Sequence, residues 1–151
     1  MGVDCAAMTA SCPKMFRTMQ PDGQVPKVGR SRRCLGVVPG LPPAGDIEPD
    51  AAGGVHPATG GMSVAPAWAD LPVWRVPKRL ASKIRGAAGS NGDRIWRLGS
   101  DLFTDAPVSL GLRLRVDKPT HGNVEPDAAC ALTYFETALQ ATQASWVPDE
   151  P

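Results

Sequence analysis

Two adjacent glycines followed by a hydroxyl side chain are the feature of this chain best suited to chemistry. They lie in the run Thr59-Gly60-Gly61-Met62-Ser63-Val64, which opens a short apolar segment, residues 62–65. Glycine lets a backbone approach a ligand closely or adopt a positive φ. A glycine pair that leads into a strand carrying a hydroxyl is typical of a nucleotide or sugar site. The same spacing also fits an ordinary tight turn, so both interpretations stay open here.

Three more side chains in two other segments could serve such a site. Arg17 lies in an early apolar segment, and its planar guanidinium suits a phosphate or a ribose. A polar cluster, residues 119–126, contains His121 and Glu125 and precedes the predicted C-terminal helix. An imidazole can bind ribose or transfer a proton, and a carboxylate can stabilise developing positive charge.

Each of these residues also has a purely structural interpretation. Arg17 is compatible with the solvent-exposed face of a strand, and the Ser63 hydroxyl is compatible with a local hydrogen bond to a backbone group. His121 fits a turn that precedes a strand, while Glu125 fits the N-terminal end of a helix, where a carboxylate is favoured.

Composition limits the classes of function. A chain of 151 residues with a net charge of +1 predicts one domain and gives no global reason to expect nucleic acid or membrane as a partner. Residues 75–97 carry seven basic residues and one acid, which fits either a solvated loop or a positive groove. Nucleic-acid binding by this stretch is disfavoured by the near-zero net charge, and by the single tyrosine and three phenylalanines available for stacking.

The spacing of the cysteines bears on metal binding, and the first residues of the chain bear on localisation. Four cysteines without a C-x-x-C pair and two distant histidines give no zinc signature. The first residues resemble no secretory leader, and no run approaches the length of a membrane span. We expect a cytoplasmic protein, or one exported without a cleavable leader.

The order of the segments predicts the domain organisation. Residues 1–13 are expected to form a disordered arm, and residues 14–151 a single domain. Residues 20–61 contain 16 prolines and glycines and predict a long loop, structured or partly disordered. Residues 67–77 contain two tryptophans and are expected to be extended. Trp68 and Trp74 are expected to act as core or loop anchors. Residues 78–92 are expected to form a flexible basic loop. Alternation and apolar content predict strands at 14–19, 33–38, 62–65, 94–98, 112–116 and 123–125.

The last part of the chain predicts one amphipathic helix. Asp127 is expected to cap it, and an apolar face runs through Leu132, Phe135, Leu139, Thr142 and Trp146 until Pro148 ends it. Several short strands, long loops and one helix predict an α+β fold.

Three blocks in this order resemble a known family. Phe16-Arg17, the run from Pro57 to Val64, and Thr120-His121 followed by Pro126 are similar to the type VI secretion effector toxins with an ADP-ribosyltransferase-like fold. The chain also resembles small uncharacterised bacterial proteins that carry the same Thr-Gly-Gly-Met-Ser and His-Gly-x-hydrophobic-Glu-Pro blocks. The resemblance extends in order over residues 14–147.

The resemblance implies a small mixed-sheet domain with a cleft that holds NAD, and a toxin that acts in the cytoplasm and is held in check by a cognate immunity protein. It implies cofactor-binding roles for Arg17, Thr59, Gly60, Gly61 and Ser63, and catalytic roles for Ser63, His121 and Glu125. The Glu-x-Glu pair usual in protein-modifying transferases is missing. A non-enzymatic protein of the same fold, which recognises a nucleotide or a partner protein, is therefore the alternative.

Overall fold

Short antiparallel strands and one helix build the domain. A computed structural model describes residues 12–151. The strands are β1 (Met15–Met19), β2 (Pro21–Asp22), β3 (Val25–Pro26), β4 (Gly54–Val55), β5 (Met62–Val64), β6 (Arg94–Leu98), β7 (Ala106–Ser109), β8 (Leu112–Lys118), β9 (His121–Pro126), β10 (Cys130–Ala131) and β11 (Val147–Pro148). The α-helix is α1 (Leu132–Gln140), and 3-10 helices cover Trp68–Asp70, Lys78–Leu80 and Gln143–Ser145.

The two larger sheets meet at β1, the first strand of the described residues. One has the order β1-β6-β11 and the other the order β5-β9-β8-β7. They are linked where Phe16 in β1 pairs with Ala65 just after β5, through backbone N–H···O bonds of 2.7 and 3.0 Å. This junction brings the middle of β1 beside β5, so residues that are distant in sequence become neighbours there.

The α+β class is confirmed, but the mixed sheet implied by the resemblance is not observed. Every ladder between named strands in residues 12–151 is antiparallel. β7, β8 and β9 follow one another through tight connections, which join antiparallel neighbours, whereas parallel neighbours need long crossovers.

Alternation divides the four-stranded sheet into an apolar and a polar face. On one face Met62, Val64, Leu112, Leu114 and Val124 are almost fully buried in the main core. The residues between them point to the other face, and register aligns them across the strands: Ser63 faces Asn123, and Arg113 faces Glu125. This polar face carries the side chains of functional interest.

Five of the predicted strands are confirmed: those at 14–19, 62–65, 94–98, 112–116 and 123–125 correspond to β1, β5, β6, β8 and β9. The strand predicted at 33–38 is wrong, because only Leu35 pairs there, in an isolated bridge to Val28. β7 was not predicted; its proline and its register shift against β8 break the alternating pattern.

The folded domain includes residues that the sequence assigned to a disordered arm. Residues 1–11 lie outside the described residues, but Cys12 and Pro13 belong to the folded domain. Cys12 is 2% exposed, and Pro13 bridges Asp101. Ordered packing therefore includes two residues that the sequence assigned to the arm.

The C-terminal helix is shorter than predicted. It begins after Ala131, without a side-chain cap, so Asp127 does not cap it. It ends at Gln140, and Trp146 lies beyond it, 2% exposed, with its indole N–H donated to Thr142. Pro148 does not end the helix but lies in β11, which pairs with β6. β10 directly precedes the helix and a 3-10 helix, Gln143–Ser145, follows it, so the α-helix covers nine residues.

A second, smaller core lies under the stretch that the sequence predicted to be extended and loop-like. We call it the minor core; its buried members are Phe16, Ala65, Leu71, Val76, Leu80, Ile84 and Ile95. Residues 67–92 are consequently held by packing and contain two 3-10 helices. Among residues 12–151 no helix has the length and apolar character that a membrane crossing requires.

Candidate functional site

A cavity of about 490 Å³ opens where the two larger sheets meet. β1 contributes Arg17, β5 contributes Ser63, and β9 contributes His121 and Asn123 to its lining. The glycine pair Gly60-Gly61 lines it as well. Of the predicted site residues, the structure therefore brings together Arg17, Gly60, Gly61, Ser63 and His121, and leaves Thr59 and Glu125 outside the lining.

Arg17 lies at the junction of the two sheets and is only 6% exposed. Its Nε and Nη2 donate to the carbonyl oxygen of Cys34 at 3.2 and 3.0 Å, and its Nη1 donates to the carbonyl oxygen of Ser63 at 2.9 Å. A guanidinium has five N–H groups, so two form no hydrogen bond with residues 12–151. Burial lowers the pKa of Arg17 to about 10, which keeps the side chain charged at neutral pH.

The glycine pair permits contacts with two other backbone segments. A Cβ at Gly60 would lie 2.0 Å from the carbonyl oxygen of Asp46, and a Cβ at Gly61 would lie 2.3 Å from that of Val124. The N–H of Gly61 donates to the Asp46 oxygen at 2.9 Å. The glycines are thus required for packing of the turn against β9 and the long loop, and this packing places their backbone in the cavity wall.

Ser63 and His121 lie on the polar face of neighbouring strands. Ser63 is exposed, and its register partner Asn123 lies two residues from His121. The His121 Nδ1 is 2.7 Å from a carboxylate oxygen of Asp117. With Nδ1 donating to that carboxylate, Nε2 is the ring nitrogen that can accept a proton. Asp117 was not identified from the sequence, because only the β8–β9 hairpin brings it to the histidine.

Glu125 takes part in a different arrangement beneath the glycine turn. It is fully buried and forms an ion pair with Arg115, whose Nε lies 2.5 Å from Oε1. The N–H of Ala58 donates to both of its carboxylate oxygens at 3.3 Å. Ala58 has φ 66°, a conformation unfavourable for a residue with a Cβ. Glu125 therefore supports the turn that leads into the glycine pair.

Thr59 also stabilises this turn. Its hydroxyl donates to the carbonyl oxygen of His56 at 2.7 Å, and the residue is exposed outside the cavity lining. The ring of His56 is in turn 2.8 Å from Asp50. The polar side chains of Asp50, His56 and Thr59 thus form bonds within the segment that precedes the glycine pair.

The cavity carries more positive than negative charge. Its lining contains Arg17, Arg32, Arg75 and Lys118 against two carboxylates, Asp46 and Asp70. Arg32 is paired with Asp46, while neither Arg17 nor Arg75 forms an ion pair within residues 12–151. A site of this kind favours an anionic ligand. The sequence had not assigned Asp70, Trp74 or Lys118 to a site, because no recognisable motif marks the 3-10 helix, the loop and the end of β8 that carry them.

The basic stretch at 75–97 does not form a continuous positive surface. Arg79 pairs with Glu150 at 2.8 Å, and Arg97 pairs with Asp149 at 2.7 Å. Acidic residues at the end of the chain therefore neutralise part of the charge that the sequence showed locally. Arg75 is the member of this stretch that lines the cavity.

Comparison with protein-family models and with curated proteins gives no significant match to this chain.

Proposed function

We propose that this domain has an ADP-ribosyltransferase-like fold, binds NAD in the cavity between the two sheets, and acts as a toxin that transfers ADP-ribose to a target in the cytoplasm. The observation that carries the proposal is that Arg17, Ser63 and His121, from three separate segments, line one cavity. These are also the residues on which the resemblance to the effector toxins rests most directly.

The chemistry of the lining suits a dinucleotide. The pyrophosphate would be held by the two free N–H groups of Arg17 and by the surplus of positive charge around it. The hydroxyl of Ser63 and the amide of Asn123 would bond the hydroxyls of the nicotinamide ribose. A cavity of about 490 Å³ falls in the range of about 300–1,000 Å³ common for small-molecule sites.

The transfer would break the bond between nicotinamide and ribose and form a bond from the ribose to the acceptor. Positive charge develops on the sugar, as in glycoside cleavage, so a nearby carboxylate lowers the barrier. Asp70 is the carboxylate in the lining that forms no side-chain bond within residues 12–151. His121 would take the proton of the acceptor at Nε2, while Asp117 holds Nδ1. Glu125 is proposed to act indirectly, through the glycine turn.

A toxin of this kind implies a cognate immunity protein as partner. We propose that such a protein binds this domain and blocks access to NAD. Growth of cells producing the domain should then depend on co-production of the partner, and Arg17→Gln should relieve the dependence without preventing expression.

One observation favours the alternative, a non-enzymatic nucleotide-binding protein of the same fold. Glu125, the glutamate that the resemblance offers for catalysis, is paired with Arg115 and does not line the cavity. A cavity that binds the ligand without turning it over is consistent with that placement.

Titration calorimetry with NAD, together with an assay for released nicotinamide, tests both possibilities. Ser63→Ala removes only the hydroxyl and keeps the carbonyl oxygen that accepts from Arg17. Ser82→Ala, at an exposed position away from the cavity, is the matched control. We expect binding in the wild type, weaker binding in Ser63→Ala, and no change in the control. Nicotinamide release that persists in a Ser63→Ala, His121→Ala double variant would refute the enzymatic proposal; binding without release would favour the alternative.

A further inference from the structure

The second wall of the cavity is formed by the loop that follows the first 3-10 helix. Trp74 and Arg75, in the turn of this loop, line the cavity together with Ser63 and His121. The sequence favoured a packing role for Trp74, as a core or loop anchor. The structure differs from that expectation, because Trp74 is 68% exposed and belongs to neither core.

The loop that carries these two residues is held firmly on both sides. Leu71 and Val76 are 5% and 0% exposed and belong to the minor core. The N–H of Arg75 donates to the carbonyl oxygen of Pro72 at 2.9 Å, which closes the turn. A Cβ at Gly89 would lie 2.5 Å from the backbone of Arg75, so Gly89 permits a second segment to pack directly beneath the turn. The backbone that carries the exposed tryptophan is therefore anchored.

Trp74 also differs from the other three tryptophans in its hydrogen bonding. The indole N–H groups of Trp68, Trp96 and Trp146 donate to Asp149, Met19 and Thr142, at 2.9 to 3.0 Å. The indole N–H of Trp74 has no acceptor in the described part of the chain. A large ring that lines a cavity without serving the protein core is a suitable surface for a flat ligand group.

Arg75 supplies a cation next to this ring. Its guanidinium forms neither an ion pair nor a hydrogen bond within residues 12–151. Burial is the main cause of the lowered pKa of Arg17; Asp46 opposes it, and the charge of Arg75 adds to it. Both guanidinium groups line one cavity and no carboxylate is bonded to either within residues 12–151, so an anion placed between them would stabilise both.

We propose that Trp74 and Arg75 form the nucleotide half of the site, where the base of a purine nucleoside diphosphate stacks on Trp74 and its pyrophosphate bridges Arg75 and Arg17. This inference rests on the proposed function for the orientation of NAD, whose adenine end would lie at Trp74 and whose nicotinamide ribose would lie at Ser63. The inference also predicts that ADP alone binds, because its adenine would stack on Trp74 and its pyrophosphate would contact Arg75 and Arg17.

Titration calorimetry with ADP, and separately with nicotinamide mononucleotide, tests the assignment. Trp74→Leu should weaken ADP binding about tenfold or more, which is the range expected for loss of one stacked base. The same variant should leave the affinity for nicotinamide mononucleotide within about twofold. Arg75→Gln should weaken ADP binding and reduce its dependence on salt, whereas Lys83→Gln, an exposed cation outside the cavity, should change neither.

The outcomes separate this inference from the proposed function. Unchanged ADP affinity in Trp74→Leu, or no ADP binding by the folded wild type, would overturn the inference even if NAD is cleaved. Loss of ADP binding in Trp74→Leu and Arg75→Gln, in a wild type that never releases nicotinamide, would support the inference and refute the transferase. Circular dichroism of each variant should match the wild type, since neither side chain contributes to the cores.

Discussion

Replacement of Glu125 by glutamine distinguishes a supporting from a catalytic role for the buried carboxylate. The substitution keeps the size of the side chain and an oxygen that can accept from the N–H of Ala58. It removes the charge that pairs with Arg115. If Glu125 holds the glycine turn in place, the main effect should be on the free energy of unfolding rather than on a step of the reaction.

The magnitude follows from the contacts of Glu125. A hydrogen bond to a charged group contributes about 1.5–3 kcal/mol when it is buried. The carboxylate is buried, but the side chain of Arg115 is 39% exposed and can turn to solvent after the substitution, which reduces the loss. We therefore expect destabilisation by about 2 kcal/mol. For a domain of about 150 residues this corresponds to a decrease in Tm of about 4–8 °C.

Differential scanning calorimetry of the purified protein measures this change. Glu136→Gln is the matched control, because Glu136 pairs with Arg30 at 2.7 Å at the surface, where Arg30 is 57% exposed. A surface ion pair contributes about 0–1 kcal/mol, so the control should shift Tm by no more than about 4 °C. NAD affinity of Glu125→Gln, measured well below its Tm, should stay within about threefold of the wild type.

Two results would contradict this reasoning. An unchanged Tm would mean that the ion pair and the contacts with Ala58 do not stabilise the turn. A wild-type Tm combined with complete loss of nicotinamide release would assign the carboxylate to the reaction itself, as the resemblance implied.

Three further predictions concern the turn and a buried thiol. Gly61→Ala should lower the yield of folded protein sharply, since its Cβ would meet the Val124 carbonyl at 2.3 Å; a wild-type Tm would argue against this packing. Ala58→Gly should raise stability by about 1 kcal/mol in urea denaturation, because φ 66° suits glycine; lower stability would contradict the reasoning. Burial raises the pKa of Cys12 from 9.0 to about 11, so the unfolded chain loses its thiol proton first. The free energy of unfolding should therefore fall as pH rises from about 9 to 11, less steeply in Cys12→Ala.

Local patterns predicted the strands with clear alternation. In β8, leucines and arginines alternate, and the structure buries the leucines and leaves the arginines on the polar face. β6 has the predicted boundaries, Arg94–Leu98, although both of its faces are buried: Trp96 and Leu98 lie in the main core and Ile95 lies in the minor core. A strand such as β8 is recognisable because one of its faces must be apolar to pack in the core. Since successive side chains point to opposite faces, this requirement produces an alternation that is visible in consecutive residues.

The order within residues 20–61 could not be predicted, since it depends on contacts with distant residues. Arg17 binds the carbonyl oxygen of Cys34, and Arg33 pairs with Asp93 at 2.7 Å. Each contact joins the loop to a strand or turn far away in the chain. Composition alone showed prolines and glycines, which are compatible with either an ordered or a disordered loop.

The sequence by itself determined the main strands, the α+β class and the set of residue types available for a site. The tertiary structure alone decided how they are used: Arg17, Ser63 and His121 share a cavity, Glu125 supports a turn, and Trp74 lines the same cavity from an anchored loop. The physical reason is the range of the interactions. Alternation and turn chemistry act between near neighbours, whereas burial, ion pairing and access to a cavity depend on which distant segments the sheets bring together.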